Sequence, residues 1–195
     1  MKSPYQGLPV EGWEKRTREL IREHPLDTAE IYEVVLKVWE DIFSSGIGSK
    51  PFKVGEDLFP RPQIMAYFLH ELIPLEFTSR YPGVWRREET AGEKDMVYVP
   101  NPKYSVEIKT SSSAKSIFGN RSYAQETGSP KKSKSGYHLA INFEKFGSSK
   151  RPQIVAVRFG WLDHSDWIGQ AAATGQQARL DPNVDRFKLL KIPLY

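Results

Sequence analysis

GEKDMVYVPNPKYSVEIKTS, residues 92–111, is the stretch that decides the fold. It contains two short apolar runs joined by a Pro-Asn-Pro turn, which is typical of paired β-strands. Asp95 precedes the first run, and Glu107 and Lys109 lie two residues apart in the second, so on a strand they project from one face. Two interpretations are open: a hairpin with charges on its wet side, or two carboxylates that converge on a metal ion beside a lysine.

Composition restricts the class of protein. With 195 residues, of which 39% are apolar and 27% charged, the chain fits one globular domain, residues 1–195. We expect no signal peptide and no membrane partner, because no apolar run approaches the roughly 20 residues that span a bilayer. The absence of cysteine excludes disulfides and thiolate metal sites and is compatible with a cytoplasmic location. The net charge of +4 permits a polyanionic partner.

Helical periodicity precedes the decisive stretch. Residues 11–23 form one predicted amphipathic helix, and Asp27 is predicted to cap a second. A third helix is predicted at about 61–73, and Pro74 should stop or kink it.

The predicted domain has two parts. The N-terminal helical part, residues 11–43, either covers the core or forms a dimerisation surface that carries Trp13 or Trp39. The catalytic core would span residues 61–195 and include a loop at about 111–136.

Short strands dominate after residue 84. Alternation of apolar and polar residues predicts strands at 84–88, 95–99, 104–110, 137–143, 153–161 and 186–194. Residues 171–180 form a weak helix at most. The first three strands, joined by short turns, form an antiparallel meander. The predicted fold class is therefore α+β, with a mixed central β-sheet flanked by helices in a three-layer arrangement.

The segment 111–136 carries the excess positive charge. It has five basic residues against one acid, and this difference of +4 equals the net charge of the whole chain. A solvated loop would explain the lysines alone. The interleaved amide, guanidinium and aromatic side chains favour contact with nucleic-acid bases and phosphates. The candidate contacts are Lys115, Asn120, Arg121, Ser122, Tyr123, Gln125, Lys131, Lys132 and Lys134.

The acid-x-Lys spacing has a chemical interpretation. Among the 24 acidic residues, only Glu107 has a lysine two positions later. Phosphodiester hydrolysis uses a hard divalent cation held by oxygen ligands, and Asp95 and Glu107 could supply them. Lys109 would lie beside the attacking water. Glu71, next to the apolar stripe of the third helix, is either a solvated residue or a third acid of this site.

Glu93-Lys94-Asp95 and Val106–Ser111, in helix–strand–strand–strand order, resemble the PD-(D/E)xK nuclease superfamily, and more narrowly its type II restriction endonucleases. The resemblance covers residues 61–143 as topology. The family's proline before the aspartate is Lys94 here, and its helix after the third strand is hard to find in residues 111–136. Residues 106–125 are also similar to ScaI-like restriction enzymes.

The resemblance implies a restriction-endonuclease-like fold and a set of roles. Asp95 and Glu107 would bind Mg²⁺, the Ile108 carbonyl would be a further ligand, and Lys109 would be catalytic. Mn²⁺ is expected to substitute, and Ca²⁺ to support DNA binding without cleavage. A homodimer would cut a short palindrome in double-stranded DNA, each subunit reading a half-site. A cognate DNA methyltransferase and a prokaryotic cytoplasm are also implied.

Three functions therefore remain open from sequence alone. The first is a type II restriction endonuclease. The second is a structure-specific repair or recombination nuclease of the same fold, whose basic loop contacts only the DNA backbone. The third is a non-catalytic nucleic-acid-binding protein, in which the strand charges form a salt-bridged hairpin.

Overall fold

A computed structural model describes residues 2–124, 134–147, 149, 151–172 and 174–193. A 3₁₀ helix, Arg121–Ala124, contributes to the site described below. The helices and strands, in chain order, are α1 (Val10–Glu23), α2 (Thr28–Ser44), β1 (Gly46–Ile47), β2 (Phe52–Lys53), α3 (Pro62–Arg80), β3 (Trp85–Arg87), β4 (Met96–Tyr98), β5 (Val106–Ser111), β6 (Phe118–Asn120), β7 (Gly136–Phe143), β8 (Ile154–Leu162), β9 (Trp167–Gly169), β10 (Gln177–Leu180), α4 (Pro182–Phe187) and β11 (Leu189–Lys191).

The central feature is a six-stranded mixed sheet in the order β11–β8–β7–β5–β4–β3. Strands β5 and β7 pair in parallel, and the other neighbours in this sheet are antiparallel. The predicted meander is confirmed as β3, β4 and β5. The predicted fold class, a mixed sheet flanked by helices as in restriction endonucleases, is confirmed as well.

Alternation along the strands separates two cores on opposite faces of the sheet. Val106 and Ile108 of β5 pack into the larger core, to which α1, α2 and α3 contribute. The opposite face is covered by a second sheet, in the order β6–β10–β9, and by α4. Glu107 and Lys109 therefore project away from the three long helices and toward the second sheet.

The sequence predicts that Pro74 stops or kinks the third helix. Helix α3 does not stop there. Pro74 lacks the N–H that would bond to the carbonyl four residues earlier, so one helical hydrogen bond is lost. Ile73 and Phe77 on either side are completely buried in the larger core. Their burial stabilises the continuous helix, which ends at Arg80.

Two predictions for the C-terminal part were wrong. The expected strand at 186–194 is replaced by the end of α4 followed by the short β11, and residues 171–180 contain β10 instead of a weak helix. Asp181 explains the added helix, because its side chain accepts a hydrogen bond from the Asn183 amide at 2.8 Å. Pro182 occupies the first helical position, where its missing N–H costs nothing.

The two tryptophans considered for a dimer surface contribute to the core. Trp39 is 1% exposed, and its indole N–H donates to the Pro152 carbonyl at 2.9 Å. Trp13 is partly buried and packs against both cores. Within the described ranges, no helix has both the length and the apolar character needed to cross a membrane.

Replacing Gly160 with alanine tests the close contact between β8 and the start of β11. A Cβ at Gly160 would lie 1.9 Å from the Lys188 carbonyl oxygen, so the backbone must move. We expect a loss of about 3 kcal/mol in unfolding free energy, or roughly 6–12 °C in Tm, measured by thermal denaturation. The control is Gly12→Ala in α1, where the nearest atom is 3.9 Å away. Unchanged melting of Gly160→Ala would contradict this packing.

Candidate active site

The register of β4 and β5 places the first two candidate residues side by side. Met96 pairs with Val106, so Asp95 lies just before β4, opposite Glu107. Residues opposite each other on neighbouring strands share a face of the sheet. Lys109 shares that face too, and its Nζ donates to Glu107 Oε1 at 2.7 Å. The structure thus brings Asp95, Glu107 and Lys109 together.

Asp95 is bound to the backbone of β5. Its Oδ2 accepts a hydrogen bond from the Ile108 amide at 2.6 Å, and His70 Nδ1 lies 3.7 Å from the same oxygen. The N–H and C=O of one strand residue point to the same edge of the strand. The Ile108 carbonyl, the further ligand implied by the resemblance, therefore faces the side on which Asp95 lies.

Glu107 is the most deeply buried member of the cluster, with 2% of its side chain exposed. Its Oε1 accepts from the Lys109 ammonium group and from the Tyr123 hydroxyl. Lys94 Nζ lies 3.8 Å from Oε2. Lys94 stands where the family pattern has a proline, so this departure brings a second ammonium group to the buried carboxylate.

His138 of β7 occupies the position paired with Glu107 in the sheet. Its Nδ1 lies 2.8 Å from the Gly136 carbonyl oxygen. Burial, helped by the charge of Lys94, lowers the pKa of His138 to about 3. A neutral imidazole therefore forms the wall of the site beside Glu107.

Tyr123 is a buried residue that lies against Glu107 and Lys109. Its side chain is 8% exposed, and its ring centre is 5.3 Å from that of Trp167. Lys109 Nζ lies 4.6 Å from the centre of the Tyr123 ring, close enough for a cation–π contact. The contact of Tyr123 with DNA stays a prediction.

Glu71 forms an ion pair with an arginine of β3. Its Oε2 binds Arg87 Nη2 of β3 at 2.9 Å. The side chain that α3 presents to Asp95 is the preceding residue, His70. Glu71 therefore forms a surface ion pair and is not brought into the cluster.

The other candidate DNA contacts differ in exposure. Lys115, Asn120 and Ser122 are exposed, while Arg121 Nη1 donates to the backbone carbonyls of Ala172 at 3.1 Å and Gly175 at 3.4 Å. Burial lowers the pKa of Lys134, whose Nζ is 5.9 Å from the Tyr123 ring centre. The remaining candidates, Gln125, Lys131 and Lys132, lie outside the described residues.

The sequence does not predict the contacts that three residues make with Asp95 or Glu107: Lys94, His70 and Tyr123. Lys94 directly precedes Asp95, and this adjacency in the sequence is a signal that could have placed it at the site. His70 directly precedes Glu71, the residue that the sequence offers as a third acid of the site. Nothing local places Tyr123 against Glu107, because the contact joins residues 16 positions apart through the second sheet.

The oxygen donors of this site suit a hard divalent cation. Mg²⁺ is usually held by one or two carboxylates and keeps several waters, and Asp95, Glu107 and the Ile108 carbonyl meet that requirement. In the part of the chain that the structure describes, no three His, Cys, Asp or Glu side chains form a metal-binding group. These oxygen donors are of the kind that hard divalent cations take.

Comparison with known proteins gives a match along nearly the whole chain. The ScaI restriction endonuclease family profile matches residues 3–193. Type II restriction enzyme ScaI of Streptomyces caespitosus is 46% identical over an alignment of 193 residues, and the match covers 97% of this chain and 84% of that protein. No solved structure gives a significant match. The chain therefore belongs to the ScaI restriction endonuclease family.

Proposed function

We propose that this type II restriction endonuclease hydrolyses phosphodiester bonds of double-stranded DNA with Asp95, Glu107 and Lys109 as its catalytic residues. Restriction enzymes of this type are site-specific deoxyribonucleases, act on DNA and generally need divalent metal ions. One observation carries the assignment: the Glu107 carboxylate is only 2% exposed, and it is hydrogen-bonded to Lys109 on the same face of the strand. Such a buried ion pair contributes little to stability, so a catalytic role accounts for it better.

Mg²⁺ is the proposed cofactor, and Mn²⁺ is expected to substitute for it. Asp95, Glu107 and the Ile108 carbonyl would hold the ion. When bound, a divalent cation polarises the phosphoryl oxygen, makes water more acidic and stabilises the leaving oxygen. Ca²⁺ is expected to support DNA binding without cleavage.

The protein's own residues prepare the site for a phosphate group. Lys109 is 14% exposed in its side chain and is fixed by its bond to Glu107. A fixed ammonium group in a shielded site stabilises developing negative charge without reorganisation. The Tyr123 ring, in contact with this ammonium group, limits the access of bulk water.

We assign DNA recognition to the second sheet and to the segment that joins β5 to β6. A groove at the end of β5 is lined by the serines at 111–113, Phe118 and Gln177. Hydroxyl groups of this kind contact phosphates, whereas the exposed amide of Asn120 can read base edges. The exposed side chain of Lys115 adds positive charge nearby.

We also propose the assembly and cellular setting of the enzyme. A homodimer with two-fold symmetry would present two identical recognition surfaces to a palindrome, one to each half-site. Functional pairing with a cognate DNA methyltransferase, which would protect the same sequence, is proposed for a prokaryotic cytoplasm.

Digestion of a large viral DNA tests the proposed function directly. With Mg²⁺ we expect discrete bands on a gel, because cleavage occurs only where the recognised sequence is present. EDTA should abolish the bands. A smear would indicate a nuclease without sequence specificity, and intact DNA that is nevertheless bound would indicate a non-catalytic DNA-binding protein.

Replacing Lys109 with alanine tests the catalytic assignment. We expect the single-turnover cleavage rate to fall at least about 10²-fold, because the charge beside the reacting phosphate is lost. DNA binding in Ca²⁺ should remain. The matched control is Lys37→Ala, which removes a lysine that also pairs with acids but lies on α2. Normal cleavage by Lys109→Ala would show that the catalytic assignment is wrong.

Replacing Asn120 with alanine tests the recognition surface. Asn120 is exposed at the end of β6, so we expect Tm to be unchanged while affinity for the cognate site in Ca²⁺ falls about 10-fold, as for a lost bidentate base contact. Asn183→Ala, at an exposed position of α4, serves as the control in the same binding assay. Equal affinity of Asn120→Ala and the parent protein would remove Asn120 from the recognition surface.

A further inference from the structure

We infer that Tyr123 is a positioning residue that links DNA contact by residues 118–122 to the geometry of Glu107 and Lys109. The inference rests on the proposed function, since it requires Glu107 and Lys109 to act in cleavage. It assigns to Tyr123 a role other than DNA contact, and it makes the second sheet part of the active site.

One side chain touches both candidate catalytic residues of β5. The Tyr123 hydroxyl donates to Glu107 Oε1, the oxygen that also accepts from Lys109 Nζ at 2.7 Å. The ring of the same tyrosine lies 4.6 Å from that ammonium nitrogen. The position of Tyr123 therefore affects the orientation of the carboxylate and the place of the lysine together.

The backbone that carries Tyr123 belongs to the second sheet. Strand β6 pairs with β10, and the Arg121 amide, in the 3₁₀ helix that follows, donates to the Gln176 carbonyl at 2.7 Å. The Arg121 guanidinium group adds bonds to the loop before β10. Residues 118–124 thus form a unit with β10, and Tyr123 projects from this unit to the main sheet.

Gly119 packs closely against two aromatic rings of the second sheet and its flanking 3₁₀ helix. A Cβ at Gly119 would lie 3.1 Å from the Trp167 ring and 3.4 Å from the Tyr123 ring. Interiors packed this closely transmit displacements instead of absorbing them. A shift of the backbone at Gly119 would therefore move the two aromatic rings.

The same unit has a surface suited to DNA. Asn120 and Ser122 are exposed, and they lie between the buried Gly119 and Tyr123. DNA seated against the exposed residues would fix the unit, and through the Tyr123 hydroxyl it would fix the Glu107 carboxylate. Correct DNA would place that carboxylate better than DNA that fits the surface poorly.

Tyr123→Phe separates this role from simple packing. The substitution keeps the ring, its contact with Trp167 and the cation–π contact, and removes only the hydroxyl. The matched control is Tyr137→Phe, whose buried hydroxyl donates to the Leu20 carbonyl at 3.1 Å in the larger core. Both variants lose one buried hydroxyl group, but only Tyr123→Phe loses it at the active site.

The measurement is the single-turnover rate in Mg²⁺ at the cognate site and at sites that differ by one base pair. For Tyr123→Phe we expect the cognate rate to fall about 10–100-fold, the typical effect of a residue that orients a metal ligand. Rates at the altered sites should fall less than about threefold, so discrimination decreases. Affinity in Ca²⁺ and Tm should match those of Tyr137→Phe, which should cleave like the parent protein.

Three outcomes would overturn the inference. Unchanged cleavage by Tyr123→Phe would show that the hydroxyl has no role. An equal loss of rate at cognate and altered sites would mean that the hydroxyl orients Glu107 without any link to recognition, and weaker Ca²⁺-supported binding would mean that Tyr123 contacts DNA. Failure of the proposed function is distinguishable, because Lys109→Ala would then cleave normally.

Discussion

The buried carboxylate of Glu107 is the constraint on which the site depends. A carboxylate that is 2% exposed in the middle of a central strand costs several kcal/mol unless other groups compensate its charge. The compensation comes from Lys109 on the same strand, from Lys94 before β4 and from Tyr123 after β6. Three separate segments must therefore be in place before Glu107 is satisfied, so formation of the site and folding of both sheets are coupled.

Asp95 shows how one side chain meets a structural and a chemical requirement together. Strand β4 begins at Met96, so the Ile108 amide of β5 lies beyond the paired region and needs another acceptor. The Asp95 carboxylate provides it at 2.6 Å. This bond fixes the Asp95 carboxylate beside Glu107, where both carboxylates can contribute to the proposed cation site.

The sequence contains the local part of this arrangement and not the long-range part. Periodicity predicts α1, the meander and β7 because each element carries its own apolar pattern. The acid-x-Lys spacing identifies Glu107 and Lys109 for the same reason, since residues two apart on a strand share a face. The second sheet has strands of three or four residues that pair across large sequence separations, such as β6 with β10, and so short a strand has no reliable pattern. The contact of Tyr123 with Glu107 depends on that sheet, so the local sequence does not reveal it.

Lys94, which stands where the family pattern has a proline, adds a positive charge to the site. Asp95 and Glu107 carry two negative charges when ionised, and Lys94 and Lys109 carry two positive ones, so these four side chains sum to zero. A divalent cation would then leave two positive charges at the site. A phosphodiester carries one negative charge and an attacking hydroxide carries another, so together they bring two negative charges to the site. With Lys94 present, the charge of the proposed site would therefore match that of the phosphodiester and hydroxide together, and fixed charges of this kind would stabilise the negative charge that moves onto the phosphoryl and leaving oxygens.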